Sequence, residues 1–280
     1  MINSLALFDV DGTIALNGEI PEEVINGIRH LKDIGFVTTI STGRGYVRAK
    51  EALGSLFDDI VSPEALMIVE HGSKIVNREG QVIFANYFES IEIDHIVDFT
   101  RANIDIYRLM WFNPSDLSRK VQVWCYNHNE LEAEIQKRGH YADVFSCSIS
   151  DLRDRLLDQP VSNVTLKLKD YVKVENLKLH FTRTSTNVIF VDGNMEFIRN
   201  SVDKAIAIAY LLTEYGLAES NLLIAGNAIN DVEMLNVEAS KRILVGNGEM
   251  SDAVMSYLEK RDEVIRMDSP VDLGNYLASL

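Results

Sequence analysis

Cysteine is nearly absent from this sequence, with only Cys125 and Cys147 in 280 residues. Two thiols with no metal-ligand spacing and no further partners exclude a disulfide framework and a thiolate cluster, and fit buried, inert side chains in a reducing compartment. Basic charge is scarce as well: 27 Lys and Arg stand against 42 Asp and Glu, a formal net charge of -15. Nonspecific attraction to nucleic acid or to an anionic membrane is therefore not expected, and any anionic ligand must be met by local positive charge. No stretch reaches 18 consecutive apolar residues, and the short N-terminal apolar run is broken by Asp9 without a basic leader or small-residue cleavage site. The expectation is a soluble, cytoplasmic chain. Proline numbers only five, and no Gly/Ser-rich tract, repeat or low-complexity segment occurs, so no flexible linker is expected.

What is present is a hydrophobic fraction of 46%, enough for a sizeable core. Short β-branched or leucine-rich runs alternate with amphipathic helical patterns, the grammar of an α/β fold with a parallel sheet. Strands are expected at Leu5 to Asp9, Phe36 to Ser41 and Leu66 to Glu70, with helices at Pro21 to Ile34 and Arg44 to Leu53. The same alternation returns late, with a helix from Lys204 to Tyr215, a strand ending at Gly226, a helix from Asp231 to Val237 and a strand ending at Gly246. Between the two blocks the strand-like runs "QVIFANYF", "IYRLMWF", "KVQVWCY", "NVTLKLK" and "NVIFV" are separated by helical patterns near residues 91–105, 128–138 and 171–182. That character suggests an α+β insert, bounded by the turn "NREGQ" and by "RTSTN" near Arg183 to Asn187. The expected division is a discontinuous doubly wound core, residues 1–80 and 188–280, interrupted by an insert at 81–187.

The run "LALFDVDGTIAL", Leu5 to Leu16, carries apolar residues into two carboxylates separated by one valine. A parallel strand of an open α/β sheet delivers its last residues to the crest where ligands bind, which puts Asp9 at that crest and Asp11 in the loop beyond. Gly12 lets the loop turn sharply and lets a ligand approach the backbone. Two carboxylates this close repel each other unless a cation or a division of labour compensates. Phosphoryl transfer supplies both: one carboxylate attacks phosphorus, the second moves a proton, and a divalent cation offsets the like charges. The alternative is a solvated turn in which Asp11 and Gly12 cap the backbone.

"FDVDGT", Phe8 to Thr13, resembles the first motif of the haloacid dehalogenase superfamily, and further segments are similar to its Cof-type branch, subfamily IIB, whose members carry a C2B cap. The resemblance implies a Rossmann-like core, a Mg2+-dependent phosphatase activity, Asp9 as nucleophile and Asp11 as general acid/base. "TTISTGRGY" is similar to the second motif, which implies that Thr42, with Gly43 and the next backbone N–H, binds the phosphoryl group; a threonine helix cap beside a solvated arginine is the other reading. In "MIVEHGS", His71 stands where the branch has asparagine, either facing substrate or satisfied within its loop. "MEFIRNSVDKAIAI" nominates Lys204 for the third motif, in preference to Lys167 and Lys169 on an alternating strand. A lysine at a helix start opposes the dipole unless its ammonium meets an anion.

"LLIAGNAINDVEML" matches the fourth motif except that Asn227 replaces an aspartate that ligates Mg2+. The implied ligand set is Asp9, Asp11, Asn227 and Asp231, with Asn230 on phosphate. An amide oxygen still coordinates a hard cation but brings no charge, so Mg2+ should bind more weakly. By the same resemblance the insert would act as a lid that reads the leaving group, with Arg108, Trp111, Phe112 and Arg44 as candidates. The expected ligand is a small phosphorylated metabolite, sugar phosphates by the habit of the branch, with no nucleic-acid or membrane partner. A phosphosugar mutase, or a noncatalytic phosphometabolite-binding relative favoured by Asn227, remain as alternatives.

Overall fold

Strand β1 (Ser4–Phe8) consists of Ser4 followed by four fully buried apolar residues, the pattern of a central strand covered on both faces. The computed structural model of the protein describes residues 2–115, 120–169, 186–191 and 193–280. Helix α1 (Glu22–Asp33) follows, with Val24, Ile25, Ile28 and Leu31 on its buried face. Acidic Glu22 and Glu23 in its first turn and His30 and Lys32 in its last suit the helix dipole. The chain continues through β2 (Phe36–Ile40), α2 (Tyr46–Leu53), α3 (Phe57–Ile60), β3 (Leu66–Val69), β4 (Lys74–Asn77) and β5 (Val82–Ala85).

The insert contributes α4 (Ser90–Ala102), β6 (Tyr107–Pro114), β7 (Val121–Cys125), α5 (Leu131–Arg138), β8 (Ala142–Phe145), α6 (Ile149–Leu157), β9 (Val161–Leu168), β10 (Thr186–Val191) and β11 (Asn194–Arg199). The C-terminal block adds α7 (Lys204–Tyr215), β12 (Leu222–Gly226), α8 (Val232–Asn236), β13 (Lys241–Val245), α9 (Gly248–Tyr257), β14 (Val264–Met267) and α10 (Pro270–Leu277). The chain divides into two compact units, residues 1–84 with 203–280, and residues 85–202.

The first unit is an α/β core around a five-stranded parallel sheet in the order β14-β13-β12-β1-β2. Register decides the site: Phe8 lies opposite Ile40 on one side and Ala225 on the other, so three strands end at one level. β3 joins the crest through a parallel bridge between Ser41 and Ile68, then turns back into an antiparallel three-stranded sheet with β4 and β5. Helices α1 and α10 pack closely enough that a Cβ on Gly274 would lie 2.3 Å from the Glu23 carbonyl carbon, and one on Gly27 would lie 2.5 Å from the Gly274 oxygen.

The second unit is a six-stranded sheet, β10-β11-β9-β6-β7-β8, antiparallel except for β7 with β8. Its main core sets Ile93, Ile96, Leu152 and Leu156 of α4 and α6 against Met110, Phe112, Val164, Leu166 and Phe197 of the sheet. A smaller cluster of Leu109, Val123, Cys125 and Ala142, with Leu131 of α5 against it, lies around β6 to β8.

The chain returns to the first unit at Val202/Asp203 rather than near Arg183 to Asn187, because β10 and β11 are hydrogen-bonded to each other and, through β11, to β9. The first crossing falls at Phe84/Ala85, four residues beyond the expected one, because β5 completes the sheet begun by β3. The helical pattern at 171–182 and the segment from Arg183 to Ser185 lie outside the described residues. Helices α3, α6 and α10 and strands β4, β8 and β14 have no counterpart in the expected elements; α6 is capped where Ser148 Oγ accepts the Asp151 N–H at 3.1 Å. Among the described residues no helix is long and apolar enough to cross a membrane. The close α1 and α10 contact predicts that Gly274→Ala lowers unfolding free energy by about 1–3 kcal/mol, as overpacking does. Urea denaturation checks it, and an unchanged midpoint would contradict so close an approach.

Candidate active site

Asp9 is the first residue past β1, its N–H donating to the Ala225 oxygen at 2.9 Å, and it is buried. Asp231 reaches the same crest from the 3-10 turn Ile229–Asp231 and is completely buried. Two buried carboxylates need a cation, and Lys204 supplies it. Its Nζ donates to Asp9 Oδ1 at 2.9 Å, to Asp231 Oδ1 at 2.5 Å and to the Ser41 oxygen at 2.9 Å. All three ammonium protons are thereby used. The expected conflict of a lysine with its helix dipole is resolved by these anions, and Asp203 caps α7, its Oδ1 accepting the Ile206 N–H at 2.7 Å.

Burial alone would lower the Lys204 pKa, but the Asp231 and then the Asp9 carboxylate outweigh it and hold the ammonium above its ordinary range. For Asp9 the balance goes the other way: burial, then the charge of Asp231, raise its carboxyl from the ordinary 3.8 to about 7 against the pull of Lys204.

Asp231 Oδ2 accepts the N–H groups of Asn227 and Ala228 at 2.9 and 3.1 Å. Both its oxygens accept hydrogen bonds, so its side chain holds Lys204 and shapes the loop. Gly226 is required for this, because a Cβ there would lie 2.7 Å from that of Asp231. The Asp11 carboxylate is engaged as well. Arg44 Nε and Nη2 donate to its Oδ2 and Oδ1, each at 2.7 Å.

Asp9 and Asn227 do converge. The Thr13 hydroxyl lies 3.4 Å from Asp9 Oδ2 and 3.3 Å from Asn227 Oδ1, so three hard oxygens gather on the side of Asp9 opposite Lys204. That donor chemistry suits Mg2+. A carboxyl pushed up by burial and a like charge, with one oxygen still facing other oxygens, is a group that a cation would relieve. Asn227 also packs on the crest loop, because a Cβ on Gly12, φ +86, would fall 2.0 Å from Asn227 Nδ2. Thr13 and the Ser41 carbonyl were not singled out in the sequence: the threonine stands inside the first motif without an assigned role, and a backbone carbonyl has no sequence signature.

Thr42 is buried, with its N–H donating to the Ile68 oxygen at 3.0 Å and its Oγ1 accepting the Arg44 N–H at 3.2 Å. One expected anion donor, the Arg44 N–H, is thus committed to the fold, and the Thr42 hydroxyl keeps a proton to give. Gly43 is covered by the His71 ring, which a Cβ would meet at 2.3 Å. Residues Glu70, His71 and Gly72 all have left-handed φ, of 52°, 56° and 96°. They are held by a fully buried Lys74 and Glu70 ion pair at 3.1 Å and by the His71 N–H donating to the Thr42 oxygen. Asn230 is half-buried on the same turn as Asp231. Of the residues expected to read a leaving group, Phe112 is buried against the helices of its own unit, which removes it from any ligand surface, while Arg108 is exposed on β6 and Trp111 packs at the edge of the smaller cluster.

The elevated Asp9 carboxyl has a consequence for stability. Its contribution is present below its ordinary 3.8 and is lost as the pH rises towards about 7, because there the native state holds a proton that the unfolded chain has released. In chelator, the unfolding free energy should therefore slope downward between about pH 5 and pH 7, and Asp9→Asn should flatten that slope. Equal slopes in the two proteins, by urea denaturation, would show that Asp9 takes up no proton there.

Comparison with known proteins shows the family and the fold. The pattern of the haloacid dehalogenase-like hydrolases matches residues 6–254. An HMP-PP phosphatase of Citrobacter koseri is 23% identical over 248 residues, covering 87% of this chain and 84% of the relative. Among solved structures, the phosphatase BT1666 of Bacteroides thetaiotaomicron superposes with a TM-score of 0.73 at 18% identity, over 100% of this chain and 94% of that one. The subclass IIB sugar phosphatase BT4131 superposes with a TM-score of 0.74 at 16% identity, over 99% of this chain and 97% of that one. At such identities these likenesses establish the fold.

Proposed function

The chain belongs to the haloacid dehalogenase-like hydrolases, and we propose that within them it is a Mg2+-dependent phosphatase of small phosphomonoesters that works through an aspartyl phosphate at Asp9. The observation that carries this reading is the Lys204 ammonium bonded at once to Asp9, Asp231 and the Ser41 carbonyl. It fixes one oxygen of Asp9, Oδ1, beside a cation that offsets the negative charge of an approaching phosphoryl group. The relatives named above, an HMP-PP phosphatase and a sugar phosphatase, support the same class of substrate, and sugar phosphates are the first group to assay.

In this reading an Asp9 oxygen attacks phosphorus in line and the bond from phosphorus to the leaving oxygen breaks. Asp11 gives that oxygen its proton. Water then attacks the phosphorus of the aspartyl phosphate, Asp11 takes the proton, and phosphate leaves as Asp9 is regenerated. The Thr42 hydroxyl, the Gly43 N–H and the Asn230 amide donate to the phosphoryl oxygens, and Lys204 offsets their charge. Asp9, Asn227 and Thr13 would hold Mg2+, which when bound would supply positive charge to offset that of the carboxylate and the phosphoryl group.

The amide at Asn227 favours one other reading, a relative that binds phosphorylated metabolites without turnover. Phosphate release from a panel of phosphorylated metabolites, with Mg2+ and with chelator, decides between them. Turnover is expected with Mg2+ and should fall by about a thousandfold or more in Asp9→Asn, because a covalent route is lost outright; ligand binding without any release would favour the noncatalytic reading. Asn227→Asp adds a charge to the donor set, so the Mg2+ concentration for half-maximal activity should drop several-fold. No gain in metal affinity would remove Asn227 from the metal shell.

A further inference from the structure

Gly43 lies between two residues whose backbones are tied to the fold. The Thr42 N–H donates to the Ile68 oxygen at 3.0 Å, the Thr42 oxygen accepts the His71 N–H at 3.1 Å, and the Arg44 oxygen accepts the Glu70 N–H at 3.0 Å. What requires glycine at position 43 is space, since its φ is outside the left-handed region that favours glycine. A Cβ there would fall 2.3 Å from His71 Cε1 and 2.4 Å from Nε2, so the imidazole packs directly on the loop after β2. The ring is 3% exposed and has little room to yield.

The turn that carries this ring is built to hold one conformation. Glu70 and His71 both have left-handed φ, 52° and 56°, which costs energy in residues with a Cβ. Their N–H bonds to the loop oppose that cost, and so does the ion pair in which Lys74 Nζ donates to Glu70 Oε1 at 3.1 Å with both side chains fully buried. On its far side the turn meets the start of α7, because a Cβ on Gly72 would fall 2.2 Å from the Asp203 oxygen. A buried ion pair repays its desolvation poorly, whereas losing one partner is costly, so this pair fixes geometry more than it adds stability. An asparagine would suit the same left-handed backbone but lacks the ring that reaches Gly43. We propose that His71 is a positioning residue, whose ring, aimed by the Glu70 and Lys74 pair, braces Gly43 so that the Gly43 N–H meets the phosphoryl oxygens of the substrate. This inference rests on the phosphatase reading. His71 then acts on the group shared by all phosphomonoesters and not on the leaving group.

Exchanging space between the two residues tests it, with glycerol phosphate and glucose 6-phosphate as substrates and urea denaturation to establish that each variant is folded. Gly43→Ala should lower kcat/KM by about a hundredfold, the size of one misplaced donor. His71→Gly clears the ring and suits the left-handed backbone, so adding it to Gly43→Ala should recover about tenfold of that loss. His71→Asn, which keeps the backbone conformation without the ring, should lower kcat about tenfold with KM nearly unchanged, and by the same factor for both substrates. A double variant no more active than Gly43→Ala overturns the proposal. So does a wild-type kcat in His71→Asn, or an unequal fall on the two substrates, which would put the ring on the leaving group. Should Gly43→Ala not fold, the His71→Asn arm decides by itself. If the wild type releases phosphate from neither substrate nor from p-nitrophenyl phosphate with Mg2+, the phosphatase reading has failed by itself. Calorimetric titration of inorganic phosphate then reads the brace as a Kd that Gly43→Ala raises and the double variant restores in part; an equal Kd in those two variants overturns it.

Discussion

The crest of this protein depends on one ammonium group shared by two buried carboxylates. Asp9 and Asp231 could not both stay charged in a site removed from water without a cation in direct contact, because desolvation and mutual repulsion act together. Lys204 provides that contact from 195 positions away in sequence, and its third bond, to the Ser41 carbonyl, ties the end of β2 into the same knot. Three strand ends and the start of one helix are thereby held at a single point. The same contact accounts for a lysine at the first position of α7, which helix electrostatics alone would disfavour.

Close approach of backbones makes the knot possible. Gly226 lets the Asp231 side chain fold against the end of β12, and Gly12 gives the Asn227 amide room on the crest loop. The left-handed run from Glu70 to Gly72 is a third such device. Two of its residues carry side chains in a conformation that costs energy outside glycine, and their burial with the Lys74 ion pair holds them there. That turn presses the His71 ring on Gly43 and sets Gly72 against the Asp203 backbone, so it joins the loop after β2 to the start of α7.

Much of this was legible in the residues. The alternation of buried runs and amphipathic helices gave the α/β core, and α7 occupies the expected span from Lys204 to Tyr215. The division into units was harder to read, because β10 and β11 look like any short apolar strands and only their pairing with each other and with β9 assigns them to the insert. Helix α6 escaped notice because its nine residues bury only Leu152 and Leu156, too short a stripe to stand out as a period.

By itself the sequence determined which chemical groups are available: paired acids at a strand end, a threonine and glycine after the next strand, a helix-leading lysine, and an amide at position 227. Only the tertiary structure decided how those groups divide the work. The Asp11 carboxylate is clamped by Arg44, that of Asp231 bonds Lys204 and two backbone N–H groups, and that of Asp9 bonds Lys204 through one oxygen. The physical reason is that a carboxylate's role depends on which donors reach its oxygens first, and those donors come from strand ends and loops that sequence distance does not reveal.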